Sequence, residues 1–188
     1  KTISGKMFEK AKALKAAGAS SFSVANDFVN MAGLSANIAD QVIKIAFGLD
    51  SASKAFGRMT GFGDQMAGTF QNVYATTAQV GASIDDAGKA MGALANNFSA
   101  FNPQAEKANE YMATNLVLLQ KIGVDSVAAA KNMDFFSRAM GMSVKQATDM
   151  TRELAMMGTA MGVTASKMTS DFQKVSGSIA IYGNRIND

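Results

Sequence analysis

The 188-residue chain contains no cysteine and no histidine. The first absence removes disulfides, thiolate metal sites and cysteine nucleophiles, and fits a reducing compartment. The second removes the commonest general base and the commonest metal ligand together. No apolar run approaches the roughly 18 residues that a membrane-spanning helix needs, and the start lacks the h-region and cleavage site of a signal peptide. Proline occurs once, at Pro103, and there is no sustained alternation of β-branched and aromatic residues, so strand signals are missing. What is there instead is a strong helical bias from Ala, Met, Lys, Gln and Leu. The sequence predicts an all-α chain of short-to-medium amphipathic helices joined by Gly-centred turns. These form hairpins or an elongated multi-helix assembly, and a coiled-coil stretch is one reading of the last helix.

Charge is modest and uneven. The net value is +3, yet residues 1–60 carry eight Lys or Arg against four Asp or Glu, while the remainder is close to balanced. Lys6, Lys10, Lys12 and Lys15 flank apolar Ile3, Met7, Ala11 and Leu14 at helical spacing. An amphipathic helix of this kind is ordinarily a solvated face; its functional reading is contact with an acidic partner or a membrane surface. Specific nucleic-acid binding would want more Arg and interleaved aromatics. The chain starts at Lys1 and ends at Asn184-Arg185-Ile186-Asn187-Asp188 without a natural stop, and reads as a segment of a longer protein.

Glycine sets the punctuation. Gly123-Val124-Asp125, Gly141-Met142-Ser143 and Gly162-Val163-Thr164 are spaced by 18 and then 21 residues. Each supplies a glycine able to close one helix in the left-handed region, an apolar residue, and a side-chain oxygen to cap the next helix. Ser143 with Gln146 makes a capping box, and Val163 is placed to staple onto Met168. Gly81-Ala82-Ser83, with Asp86 three residues past the serine, predicts a helix over about 84–99. Asn102-Pro103 reads as an N-cap followed by a first-position proline, with a helix running to about Lys121. In the front half, helices are expected near 2–17, 21–32, 35–47 and 51–80, broken at Gly33-Leu34-Ser35 and Gly48-Leu49-Asp50. Two regions follow: 1–80, loosely patterned behind the basic helix, and 81–188, regularly punctuated. In the last helix Met168, Phe172, Val175, Ile179 and Tyr182 alternate steps of four and three, the seam of a coiled coil or the buried face of a hairpin, and the place where self-association is expected.

Patterns that would carry catalysis or bind a metal are missing from the sequence. Gly57-Arg58-Met59-Thr60-Gly61-Phe62-Gly63 lacks the Gly-Lys-Ser/Thr ending of a phosphate loop and no strand precedes it. Asp85 and Asp86 lie in a first helical turn, where acids favour the positive end. Glu106 and Glu110 share a face but have no second carboxylate pair or histidine to complete a metal site. The spacings Gly57–Gly61 and Gly88–Gly92 suggest close helix packing. Fourteen methionines fit either a core of loosely specified helices or an adaptable interface. No cofactor site and no catalytic residues are expected.

The stretch from Ala82 to Asp188 resembles the tail tape-measure proteins of bacteriophages. The likeness is best from Gly141-Met142-Ser143-Val144-Lys145-Gln146-Ala147 through Met161-Gly162-Val163-Thr164 to Tyr182-Gly183. The resemblance implies a non-enzymatic, mostly helical virion protein that fills the tail tube, sets tail length and leaves ahead of the genome. It also implies assembly in the bacterial host cytoplasm, three or six copies, contacts with tail-tube, baseplate or tail-tip proteins, and transient membrane contact. The alternative is a helical interaction module of a bacterial secretion, flagellar or signalling protein.

Overall fold

The computed structural model of the protein describes residues 36–62 and 64–186. Among them are seven α-helices and no strand. They are α1 (Ala36–Thr60), α2 (Ala67–Thr77), α3 (Ile84–Asn97), α4 (Glu106–Lys121), α5 (Ser126–Ala139), α6 (Val144–Ala160) and α7 (Ala165–Ile186), with 3-10 turns at Asp64–Met66 and Ala78–Val80. The all-α expectation is met. The expected helices over 2–17 and 21–32, the break at Gly33-Leu34-Ser35, and Lys6, Lys10, Lys12 and Lys15 lie outside the described residues.

Helix starts are set by short-range chemistry. Ser83 and Asp86 form a reciprocal capping box at α3, and Ser143 and Gln146 form another at α6. The Asp125 carboxylate accepts the Ala128 N–H at 2.8 Å at the start of α5. The Thr164 hydroxyl accepts the Lys167 N–H at 3.2 Å at the start of α7. Between these helices Gly81, Gly123, Gly141 and Gly162 have φ of 75°, 87°, 66° and 74°. That is the left-handed region, which a side chain disfavours by about 1–2 kcal/mol.

Two expected boundaries are corrected. Gly48-Leu49-Asp50 does not interrupt a helix, because α1 runs straight through it to Thr60. Leu49 is buried in the core, Asp50 pairs with Lys54 one turn on at 3.1 Å, and a Cβ on Gly48 would come 2.6 Å from Ile84 Cδ1. Tertiary contact with α3 explains this glycine, and the chain turns at Gly61 instead, within the helix expected over 51–80. Nor do Asn102 and Pro103 cap α4. The Asn102 side chain accepts the Gln104 N–H at 3.0 Å and its carbonyl accepts the Ala105 N–H at 3.0 Å, a turn with proline in its favoured second position. Helix α4 starts three residues later, at Glu106, and Ala105 offers it no side-chain cap.

Helix α1 packs on α2 and α3, α2 on α4, and α3 on both α4 and α5; α6 rests on α4 and α5, and α7 lies against α5 and α6. One apolar cluster runs from Leu49 to Ala165. Its densest part joins α1, α2 and α3: Phe56 and Phe70 meet edge-on with centroids 5.5 Å apart, Phe101 joins Phe56 at 6.3 Å, and Met66, Met91 and Leu94 are fully buried around them. In the two small-residue spacings expected to mark close packing, a Cβ placed on Gly92 would lie 3.7 Å from Met59 Cε, while Gly88 and Gly61 face open space.

Candidate interaction surfaces

The densest cluster of ionisable groups among those described bridges α4 and α6. Tyr111 and Asn115 are one turn apart on α4, and Lys145, Asp149 and Arg152 recur at helical spacing on α6, so each set occupies one face. Tyr111 Oη donates to Asp149 Oδ1 at 2.5 Å. Lys145 Nζ stands 2.6 Å from Asp149 Oδ2 and 5.4 Å from the centre of the Tyr111 ring. Arg152 lies 3.3 Å from Asp149 Oδ1 and donates to Asn115 Oδ1 at 3.4 Å. The Lys145 hydrogen bond, followed by that of Tyr111, holds the Asp149 carboxyl below the usual carboxylate range, and Asp149 in turn raises Lys145. Both oxygens of Asp149 are therefore engaged, and the arrangement fastens α6 to α4 without leaving a free base. The Lys145–Asp149 pair was readable from its four-residue spacing. Tyr111 was not, because it lies 38 residues from its acceptor.

A second polar site lies where the N-termini of α3 and α5 meet the C-terminus of α4. A groove of about 380 Å³, open to solvent, is lined by Asp86, Lys89, Gln120, Gly123, Val124, Asp125 and Ser126. Across it Lys121 Nζ approaches Asp86 Oδ2 at 2.7 Å, and Gln120 Nε2 donates to Ser126 Oγ. The Lys121 hydrogen bond, then the Ser83 N–H, lowers the Asp86 carboxyl to about 2. The folded value lies below the unfolded one, so the stabilisation is complete above about pH 4 and disappears as pH falls towards 2. Solvent screening limits it to about 1 kcal/mol. Asp86→Asn is expected to lower the urea midpoint at neutral pH, with the gap to the parent protein narrowing between about pH 4 and 2. A gap that stays constant across that range would remove Asp86 as the acid-sensitive group.

No family model, curated protein or solved structure matches this chain. Its sites rest on their own geometry. Among the described residues no group of three or more Asp or Glu side chains gathers in a way that could hold a metal ion, and no helix is long and apolar enough to cross a membrane. Glu110, which shares a helix face with Glu106, accepts from Asn72 of α2 at 3.2 Å.

The expected seam on α7 is divided by the fold. Phe172 stacks on Phe136 at 5.1 Å and meets Phe135 edge-on at 5.8 Å, and Met168 packs on Gly158 of α6. Val175 and Ile179 face away, 56% and 53% exposed. The side chain of Tyr182 lies outside the described residues. Among its described side chains, the buried line of α7 is instead Ala165, Thr169 and Ser176, with half-buried Phe172 between them, one position round from the expected stripe. On that line the Thr169 carbonyl accepts from Asn132 of α5 at 3.0 Å, while Met168, one position round, is the residue that meets Gly158 of α6. Met140 and Met161, which follow the last residues of α5 and α6, are likewise exposed, at 56% and 64%. With Met156 and Met157 they leave flexible apolar side chains on the outer surface.

Proposed function

We propose that this chain is a non-enzymatic structural segment of a phage tail, resembling the tape-measure proteins that fill the tail tube, set its length and leave ahead of the genome. The observation that carries the reading is the repeated unit of glycine, apolar residue and capping side chain at Gly123-Val124-Asp125, Gly141-Met142-Ser143 and Gly162-Val163-Thr164. Each unit stands between consecutive helices. An all-helical chain whose described clusters of ionisable groups tie helices together, at Asp149 between two helices and at Asp86 between two others, is consistent with a structural role. In this reading the protein works as three or six copies inside the virion, against tail-tube, baseplate or tail-tip proteins, after assembly in the host cytoplasm. The test is in-frame duplication of residues 81–188 in the phage that encodes them, with tail length measured by electron microscopy. Lengthened tails are expected; tails of unchanged length would overturn the reading.

One observation favours the alternative of a helical interaction module from a bacterial secretion, flagellar or signalling protein. The described helices fold back on a single apolar cluster instead of running as a rod. Such a module binds its partner as a preformed bundle. The same duplication would then leave tails unchanged, while cross-linking in the cells that make the protein would trap a non-virion partner on the exposed Met156, Met157 and Met161.

A further inference from the structure

The two parts of the bundle are held by different chemistry. Helices α1–α4 bury Phe, Leu and Met side chains against one another, each contributing about 1.5–3 kcal/mol when fully buried. What α6 buries is Ala147, Thr148, Thr151, Ala155 and Gly158. Among its described side chains, α7 buries Ala165, Thr169 and Ser176. Such residues remove little apolar area from water. Their hydroxyls also do nothing to fasten the helices to the bundle. Thr148 donates to Val144 O at 2.8 Å, Thr151 to Ala147 O at 2.9 Å and Thr169 to Ala165 O at 2.8 Å, each within its own helix.

Among the described residues, Ala155 and Ala165 join the common apolar cluster with Val144 packed against it, and a small set of specific ties crosses from this hairpin to the rest. Tyr111 and Asn115 reach Asp149 and Arg152, Asn132 Nδ2 donates to Thr169 O at 3.0 Å, and Phe172 lies on Phe135 and Phe136. The Asn132 carbonyl oxygen, buried in the same contact, has no hydrogen-bond partner, which subtracts from what that contact contributes. At the join between α5 and α6, Gly141 has φ of 66° and no heavy atom within 4 Å of the position a Cβ would take, and the Met142 N–H donates to Phe136 O at 3.2 Å. Helix α5 is held independently by α3 and α4.

We infer that α6 and α7 form a separate opening unit, a hairpin that unfolds about the Gly141 hinge while α1–α5 remain folded. The inference rests on packing alone and stands whether or not the chain belongs to a phage tail. Proteins commonly open in such contiguous units, and the least apolar contact marks where they do so.

Native-state hydrogen exchange on the whole chain, across a series of low urea concentrations, tests it. Amides in the middle of α6 and α7 are expected to exchange together, at least about 100-fold faster than those of α3 and α4, with a weaker urea dependence because less surface is exposed. Phe172→Ala is expected to accelerate α6 and α7 by the same factor, about tenfold or more, and to leave α3 unchanged. A common exchange rate and urea slope for all the helices would overturn the proposal, as would acceleration of α3 by the Phe172 substitution to the same degree.

Discussion

Phe70→Ala is expected to lower the unfolding free energy by about 3–5 kcal/mol. Phe70 is completely buried, and its ring is held edge-on against Phe56, itself against Phe101. Truncation removes the transfer free energy of the ring, leaves a cavity, and deletes an aromatic contact worth about 0.5–1.5 kcal/mol beyond area. The surrounding Met66 and Met91 are flexible enough to close part of the void, which argues for the lower half of the range. Urea denaturation followed by far-ultraviolet circular dichroism should show the midpoint falling by about 1 M or more. A loss below about 1 kcal/mol would mean that α1 and α2 do not share the core that the aromatic contacts describe.

What could be read from the sequence divides by range. Ser83, Asp125, Ser143 and Thr164 were legible as helix starts because capping is settled within three residues of the cap. Gly48-Leu49-Asp50 has the same spelling and a different outcome. Its glycine answers to Ile84, 36 residues away, and its leucine to the core. No local pattern separates the two cases. Asn102-Pro103 failed for a local reason, since a turn and an N-cap use the same side chain and the same proline. The period of α7 was legible and its rotation was not. Large apolar residues suggested Met168, Phe172, Val175, Ile179 and Tyr182 as a coiled-coil seam or the buried face of a hairpin, but the fold buries Ala165 and Thr169, the latter against Asn132 of α5, and leaves Val175 and Ile179 exposed. The anchor between Tyr111 and Asp149 was half legible, as an i, i+4 charge pair whose third member arrives from another helix.

Glycine-to-alanine substitution should reverse sign from place to place, and the reversal measures tertiary structure against local propensity. At Gly88, inside α3 with nothing within 4 Å of a new Cβ, alanine is expected to stabilise by about 0.5–1 kcal/mol through helix propensity and a less flexible unfolded chain. Gly177 in α7 is equally open and should behave in the same way. At Gly48 the clash is with the terminal methyl of Ile84, which can rotate aside, so gain and loss nearly cancel. Gly162 has room but a φ of 74°, and alanine there should cost about 1–2 kcal/mol in backbone strain. Gly158 is different in kind. A Cβ there would lie 2.6 Å from Met168 Cβ and 3.4 Å from the Thr164 carbonyl oxygen, so no rotamer change relieves it and α7 itself must move away from α6. Overpacking of that sort costs about 1–3 kcal/mol, which exceeds the propensity gain. The difference between Gly88→Ala and Gly158→Ala should therefore reach about 2–3 kcal/mol for one and the same chemical change. The Gly158 penalty should also appear as faster amide exchange in α6 and α7, since the displaced contact lies between those two helices. If Gly158→Ala stabilises as much as Gly88→Ala, the close approach of α6 and α7 at Met168 is wrong, and with it the placement of the small-residue face that distinguishes this hairpin from the rest of the bundle.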